Sequence, residues 1–380
     1  MRFHPTHATS VALLSLLATA CGGDDDADSK SGRVEVQISG EDLATDGIPF
    51  PEGGEVVLAD GWALTFSHVL VTVGGITLSS DPDRAPADQL QAGDPVARLA
   101  GTWAVDLAKA GAVPGAGGEG TAHPLGVIEE RDGGGALRAG ERFAFSYALE
   151  RPSASAERVA FDADAEALYA RMVESGDAIL FAGEATFRGE DCSSTDSTYD
   201  FGALPTKVPF EIGLPIPTGF VNCQNEANAG EPFDGEEFQR GVPIPESGLA
   251  SAQLTIHVDH LLYTDVQHEP ELRFDPMAAQ LVGAPAGTKL TADLLRGVDP
   301  TAFTDGSGAP LPARRCVDGE LPSATQLAFD PGTVPVDPSA APDAALRDYL
   351  DFVAYVVSTA GHLNGGEGLC AVKRGYPSPR

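Results

Sequence analysis

The sequence predicts a mainly β protein, an antiparallel β-sandwich of Ig-like or jelly-roll-like type with long loops and one or two packed helices. Three observations carry this. Two-residue hydrophobic alternation dominates the first half, Gly and Pro interrupt the apolar runs at short intervals, and helical periodicity surfaces in only two segments. The 44 Gly and 29 Pro make roughly a fifth of the chain, below the level of unstructured low complexity but enough to require many turns.

The alternation is clearest in 56–78, VVLADGWALTFSHVLVTVGGITL. An unbroken strand there places Trp62, Leu64, Phe66, His68 and Leu70 on one face and Val69, Val71 and Val73 on the other, until Gly74-Gly75 imposes a turn or bulge. Further strands are expected at 34–38, 102–107, 142–149, 158–162, 179–187, 207–212, 252–263 and 325–329. The first helix is expected over 163–175, with Ala167, Leu168, Met172 and Val173 on one face and Gly176 ending it. The second, 343–360, aligns Leu346, Leu350, Val353 and Val357 opposite Arg347, Asp348 and Asp351.

Three regions follow from composition. Residues 1–20 read as a signal peptide: Arg2 is the only fixed positive charge, and the uncharged stretch from Ala8 to Ala20 is too short to span a bilayer. Residues 21–33 read as a flexible acidic tether, because GGDDDADSKSGR offers no apolar side chain larger than Ala27. Residues 34–380 read as a single β-rich domain with a turn-rich insertion around 188–250.

The motif Leu17-Ala18-Thr19-Ala20-Cys21-Gly22 resembles the lipobox of bacterial lipoproteins, although Ala18 stands where Leu is usual. The resemblance implies acylation of Cys21 and a membrane attachment through the N-terminal lipid. Gly22 occupies the position where Asp would retain a lipoprotein in the inner membrane, which points to the outer membrane. The segments FSHVLVTVGGITL, WAVDL, FVNCQN and IHVDHLLYTD…LRFDPMAA resemble those of uncharacterised myxobacterial-type envelope lipoproteins; this supports an envelope location and implies no particular activity.

With 24 Lys+Arg against 56 Asp+Glu, the formal net charge of −32 repels phosphate backbones, so no nucleic-acid partner is expected. After Cys21 the chain holds Cys192, Cys223, Cys316 and Cys370, an even number that suits two disulfides in an oxidising compartment. Three connectivities exist, and proximity favours Cys192–Cys223 with Cys316–Cys370. No CxxC pair supports a zinc–thiolate site.

The chemistry-bearing cluster is IHVDHLLYTDVQH, which holds His257, Asp259, His260 and His268. On an extended strand His257 and Asp259 point one way and His260 the other, so convergence demands a bulge, a bend or the strand's end. A mononuclear site needs three or four N/O ligands. His68, set on an apolar face, is the expected recruit, with Asp106 or Asp259 assisting and Asp265 and Asp275 as further ligands or orienters. The donor types suit Zn²⁺, with Cu²⁺ or Fe²⁺ as alternatives.

Catalytic signals are weak. No GxSxG elbow is present, Glu129-Glu130 and Glu236-Glu237 diverge on a strand, and GAGGEG at 115–120 lacks the GK[ST] of a phosphate loop. The sequence therefore points to non-enzymatic binding of a divalent transition metal. The competing readings are an envelope interaction or assembly protein with a protein or glycan partner and structural histidines, and a zinc hydrolase with Glu269 as its base.

Overall fold

The computed structural model describes residues 31–50, 56–118, 120–233, 235–246, 248–267 and 270–380. The expected signal peptide, Cys21 and most of the expected tether, and also His268 and Glu269, lie outside the described residues. The fold is mainly β with few helices, as the alternation predicts.

Two sheets face each other across one core. The smaller centres on Ser31–Ser39, which starts inside the expected tether and runs parallel to Leu249–Ile256 and antiparallel to Thr121–Ile128. Gly361–Leu363 pairs antiparallel with the far side of Leu249–Ile256. The larger sheet is built around Trp62–Ser79, which pairs along one edge first with Ile179–Phe187 and then with Arg142–Leu149, and along the other with Thr102–Asp106. Val34, Val36 and Ile38 from the first sheet and Val69, Val71 and Val73 from the second are fully buried in the same cluster. Each such side chain contributes about 1.5–3 kcal/mol through the water it sheds. Among the described strands pairing is antiparallel except for three parallel pairs, of which Ser31–Ser39 with Leu249–Ile256 is the most extensive.

The long strand departs from simple alternation at Ser67. Ala182 pairs with His68 and Gly183 with Phe66, so Ser67 is an extra residue in the ladder. A one-residue bulge reverses the parity of everything that follows. Trp62, Leu64 and Phe66 consequently share the main core with Val69, Val71 and Val73. His68 instead falls in phase with Leu70, which packs with Ala104, Ala182 and the helix Ala163–Ser175 in a second, smaller cluster. Further on, Gly74-Gly75 also bulges without ending the strand, and Gly75 takes φ +62°.

The first helix, Ala163–Ser175, forms as expected. Asp162 caps it by accepting from the Asp164 and Ala165 amides, and Gly176 closes it in the left-handed conformation. The second is confined to Tyr349–Val357, because Asp348 caps its start by accepting from the Asp351 amide. The run expected at 325–329 forms a single isolated bridge, Gln326 with Pro312, in place of a strand. The disulfides are Cys192–Cys316 and Cys223–Cys370, which corrects the proximity-based pairing. Strand Thr218–Val221 pairs with Ala371–Arg374, and this alignment brings Cys370 to Cys223 from across the chain.

Candidate metal centre

The strand Leu249–Ile256 ends one residue before His257, and the chain then tightens into a 3₁₀ turn, Val258–Leu262. Residues three apart lie on the same side of such a turn, so His257 and His260 come to one face although a strand would have split them. This meets the requirement for a bend at the strand's end. The third histidine is His362, which pairs with Thr255 across the short strand Gly361–Leu363. The His257 and His362 rings stack with centroids 4.4 Å apart, and His260 meets both edge-on, at 5.8 and 6.0 Å.

One ligand atom from each of His257, His260 and His362 lies within 4.8 Å of the other two, close enough to bind a metal. A tetrahedral zinc with bonds of roughly 2.0–2.1 Å sets nitrogens about 3.3 Å apart.

The surroundings orient these rings. Nδ1 of His260 lies 3.0 Å from the Val356 carbonyl and 3.0 Å from Thr359 Oγ1, at the end of helix Tyr349–Val357. Donation from Nδ1 to the carbonyl fixes the tautomer and leaves Nε2 as the ligand atom. Tyr263 stacks on the other face of the same ring at 4.1 Å. His257 stands between two carboxylates. Its Nδ1 is 3.8 Å from Asp259 Oδ1, and its Nε2 is 3.5 Å from Glu41 Oε2. Burial raises the Asp259 carboxyl above its ordinary range, opposed by the neighbouring His257. Gly366 lies against the His257 ring, where an added Cβ would stand 3.0 Å from Cε1.

Four of the expected ligands or orienters are elsewhere. His68, turned to the other face by the Ser67 bulge, has Nδ1 2.7 Å from Asp106 Oδ2. Asp106 is fully buried, and its second oxygen accepts from the Val69 and Ala108 amides. The pair is a hydrogen-bonded dyad separate from the three-histidine group. Asp275 is likewise committed, to Arg314 and to Trp62 Nε1 at 2.7 Å, and Asp265 accepts from the Gln267 amide. Asp259 remains beside the cluster, its Oδ1 3.8 Å from His257 Nδ1.

Sequence reasoning missed His362 as a member and Glu41 as a neighbour of His257. His362 is 102 positions beyond His260, in a three-residue strand with no local cluster to mark it. Glu41 becomes visible once the parallel register is known. Ser39 aligns with Thr255, so the residues two further on, Glu41 and His257, emerge side by side. Comparison with family models, curated proteins and solved structures finds no match to the chain.

Proposed function

We propose that the chain is a lipid-anchored, extracytoplasmic protein that binds one divalent transition metal through His257, His260 and His362. The observation that carries this reading is the convergence of three imidazoles from two distant segments to within 4.8 Å. The imidazole donor set suits Zn²⁺, with Cu²⁺ or Fe²⁺ as alternatives; Cu⁺ sites recruit thiolate or thioether sulfur, and all four cysteines among the described residues are in disulfides.

Elemental analysis after zinc loading and gel filtration tests this. The reading expects about one zinc per chain, lost on replacing His257 and His362 by Ala in a variant whose far-UV spectrum is unchanged. Less than about a tenth of an equivalent in the wild type, unchanged in the variant, overturns it. The anchor is tested separately. Globomycin should accumulate the uncut precursor, and normal maturation in its presence would leave plain secretion.

A further inference from the structure

The metal centre proposed above has three imidazoles from the end of one strand, its following turn and the strand beside it. A fourth residue, Glu41, approaches one member of this group, His257. Glu41 follows the end of strand Ser31–Ser39, and its carboxylate oxygen Oε2 is 3.5 Å from His257 Nε2. Its side chain is buried, with 6% of its surface exposed.

The backbone at Glu41 is informative. It sits at φ +58°, in the left-handed region that disfavours any residue with a Cβ and that Gly or Asn would occupy with less strain. The turn from strand into the short helix Glu41–Asp46 holds that φ value. Strained non-glycine residues of this kind persist where the surrounding structure fixes them, and they concentrate at ligand clamps. Here the Glu41 amide donates to Ser39 Oγ at 2.8 Å, which locks the residue in place. Gly366 lets the 364–368 loop cover the site: its α-carbon faces the His257 ring, and a Cβ there would also lie 3.9 Å from Glu41 Oε1.

We infer that Glu41 is the fourth metal ligand, which makes the centre a closed His₃Glu site rather than one with a position left open for a substrate. This rests on the metal-binding reading above. Three nitrogens and one carboxylate oxygen complete the tetrahedral shell of a structural zinc ion, whereas a hydrolytic zinc keeps its fourth position for water. Asp259, on the Nδ1 side of His257, is then the outer orienter, and Glu41, on the Nε2 side, the direct donor. The metal would bind the end of the first strand to the C-terminal segment that carries His362.

The test compares zinc affinity, by competition with a chromophoric chelator, in the wild type, Glu41→Gln, Glu41→Gly and His362→Ala. Glycine suits the left-handed backbone, so Glu41→Gly keeps the apo-protein folded, as near-UV circular dichroism would verify. Both Glu41 variants are expected to weaken zinc by at least about 10–100-fold, the range that loss of even an outer partner produces. Cobalt(II) in the wild type should show the intense visible bands of a four-coordinate ion, and these should weaken in the Glu41 variants as water enters. Wild-type zinc affinity and cobalt spectra in both Glu41 variants, with His362→Ala impaired, would overturn the fourth-ligand assignment while leaving the three-histidine centre standing. Absence of zinc binding in the wild type would instead overturn the metal-binding reading, and this inference with it.

Discussion

Removal of the Cys223–Cys370 bridge by Cys223→Ala with Cys370→Ala should cost stability without altering the native structure. The bridge spans 147 residues, and on the chain-entropy model a loop of that length stabilises by about 5 kcal/mol. Two features set the realised loss below this ceiling or shift it. The bridges interleave in the order 192, 223, 316, 370, so the remaining Cys192–Cys316 link still restrains the unfolded chain. Against that, Cys223 is fully buried, and truncating it leaves a small void worth up to about 1 kcal/mol. The native frame survives because Thr218–Val221 stays paired with Ala371–Arg374 and the Gln224 amide still reaches the Leu369 carbonyl at 2.9 Å. A loss of about 3–5 kcal/mol is therefore expected in urea denaturation, with a steeper transition because the released chain exposes more surface when it unfolds. A loss below about 1 kcal/mol, or a peptide map joining Cys192 to Cys223, would refute the reasoning.

Other buried features yield sharper tests. The fully buried Asp60 carboxyl is pushed up to about 7 by burial and then by the nearby Asp275 charge. The folded state therefore holds that proton more tightly than the unfolded chain, so its contribution is full below about 3.8 and is lost as the pH rises through about 7. Asp60→Asn should flatten the stability–pH curve across that window, and a wild-type slope in the variant would contradict this. Arg314→Met should cost about 3–5 kcal/mol in urea denaturation, because it leaves the buried Asp275 without its paired guanidinium; a change under about 1 kcal/mol would contradict it. Gly361→Ala would drive a Cβ to 2.5 Å from the Phe220 ring and should cost about 1–3 kcal/mol, read as a lowered thermal midpoint; an unchanged midpoint would show that the ring moves freely.

The β class, the helix at 163–175 and the requirement for a bend after His257 were legible in the sequence because each depends on local periodicity and turn residues. The identity of the third histidine was not. It depends on a bulge at Ser67, which a period-two pattern conceals because apolar residues fill both phases around it. That single extra residue sends His68 to Asp106, while non-local pairings of Leu249–Ile256 bring His362 and Glu41 to His257 instead. The disulfides show the same limit. Proximity along the chain favoured short loops, but pairing of Thr218–Val221 with the C-terminal strand sets Cys370 beside Cys223. Strand partners, especially parallel ones, leave no signal in a single sequence, and both sites are built at such junctions.

The most direct test is X-ray absorption at the zinc edge on the zinc-loaded wild-type chain. The account predicts a first shell of nitrogen and oxygen at roughly 2.0–2.1 Å with outer-shell scattering from three imidazoles. A shell of water and carboxylate oxygens without imidazole scattering would contradict it.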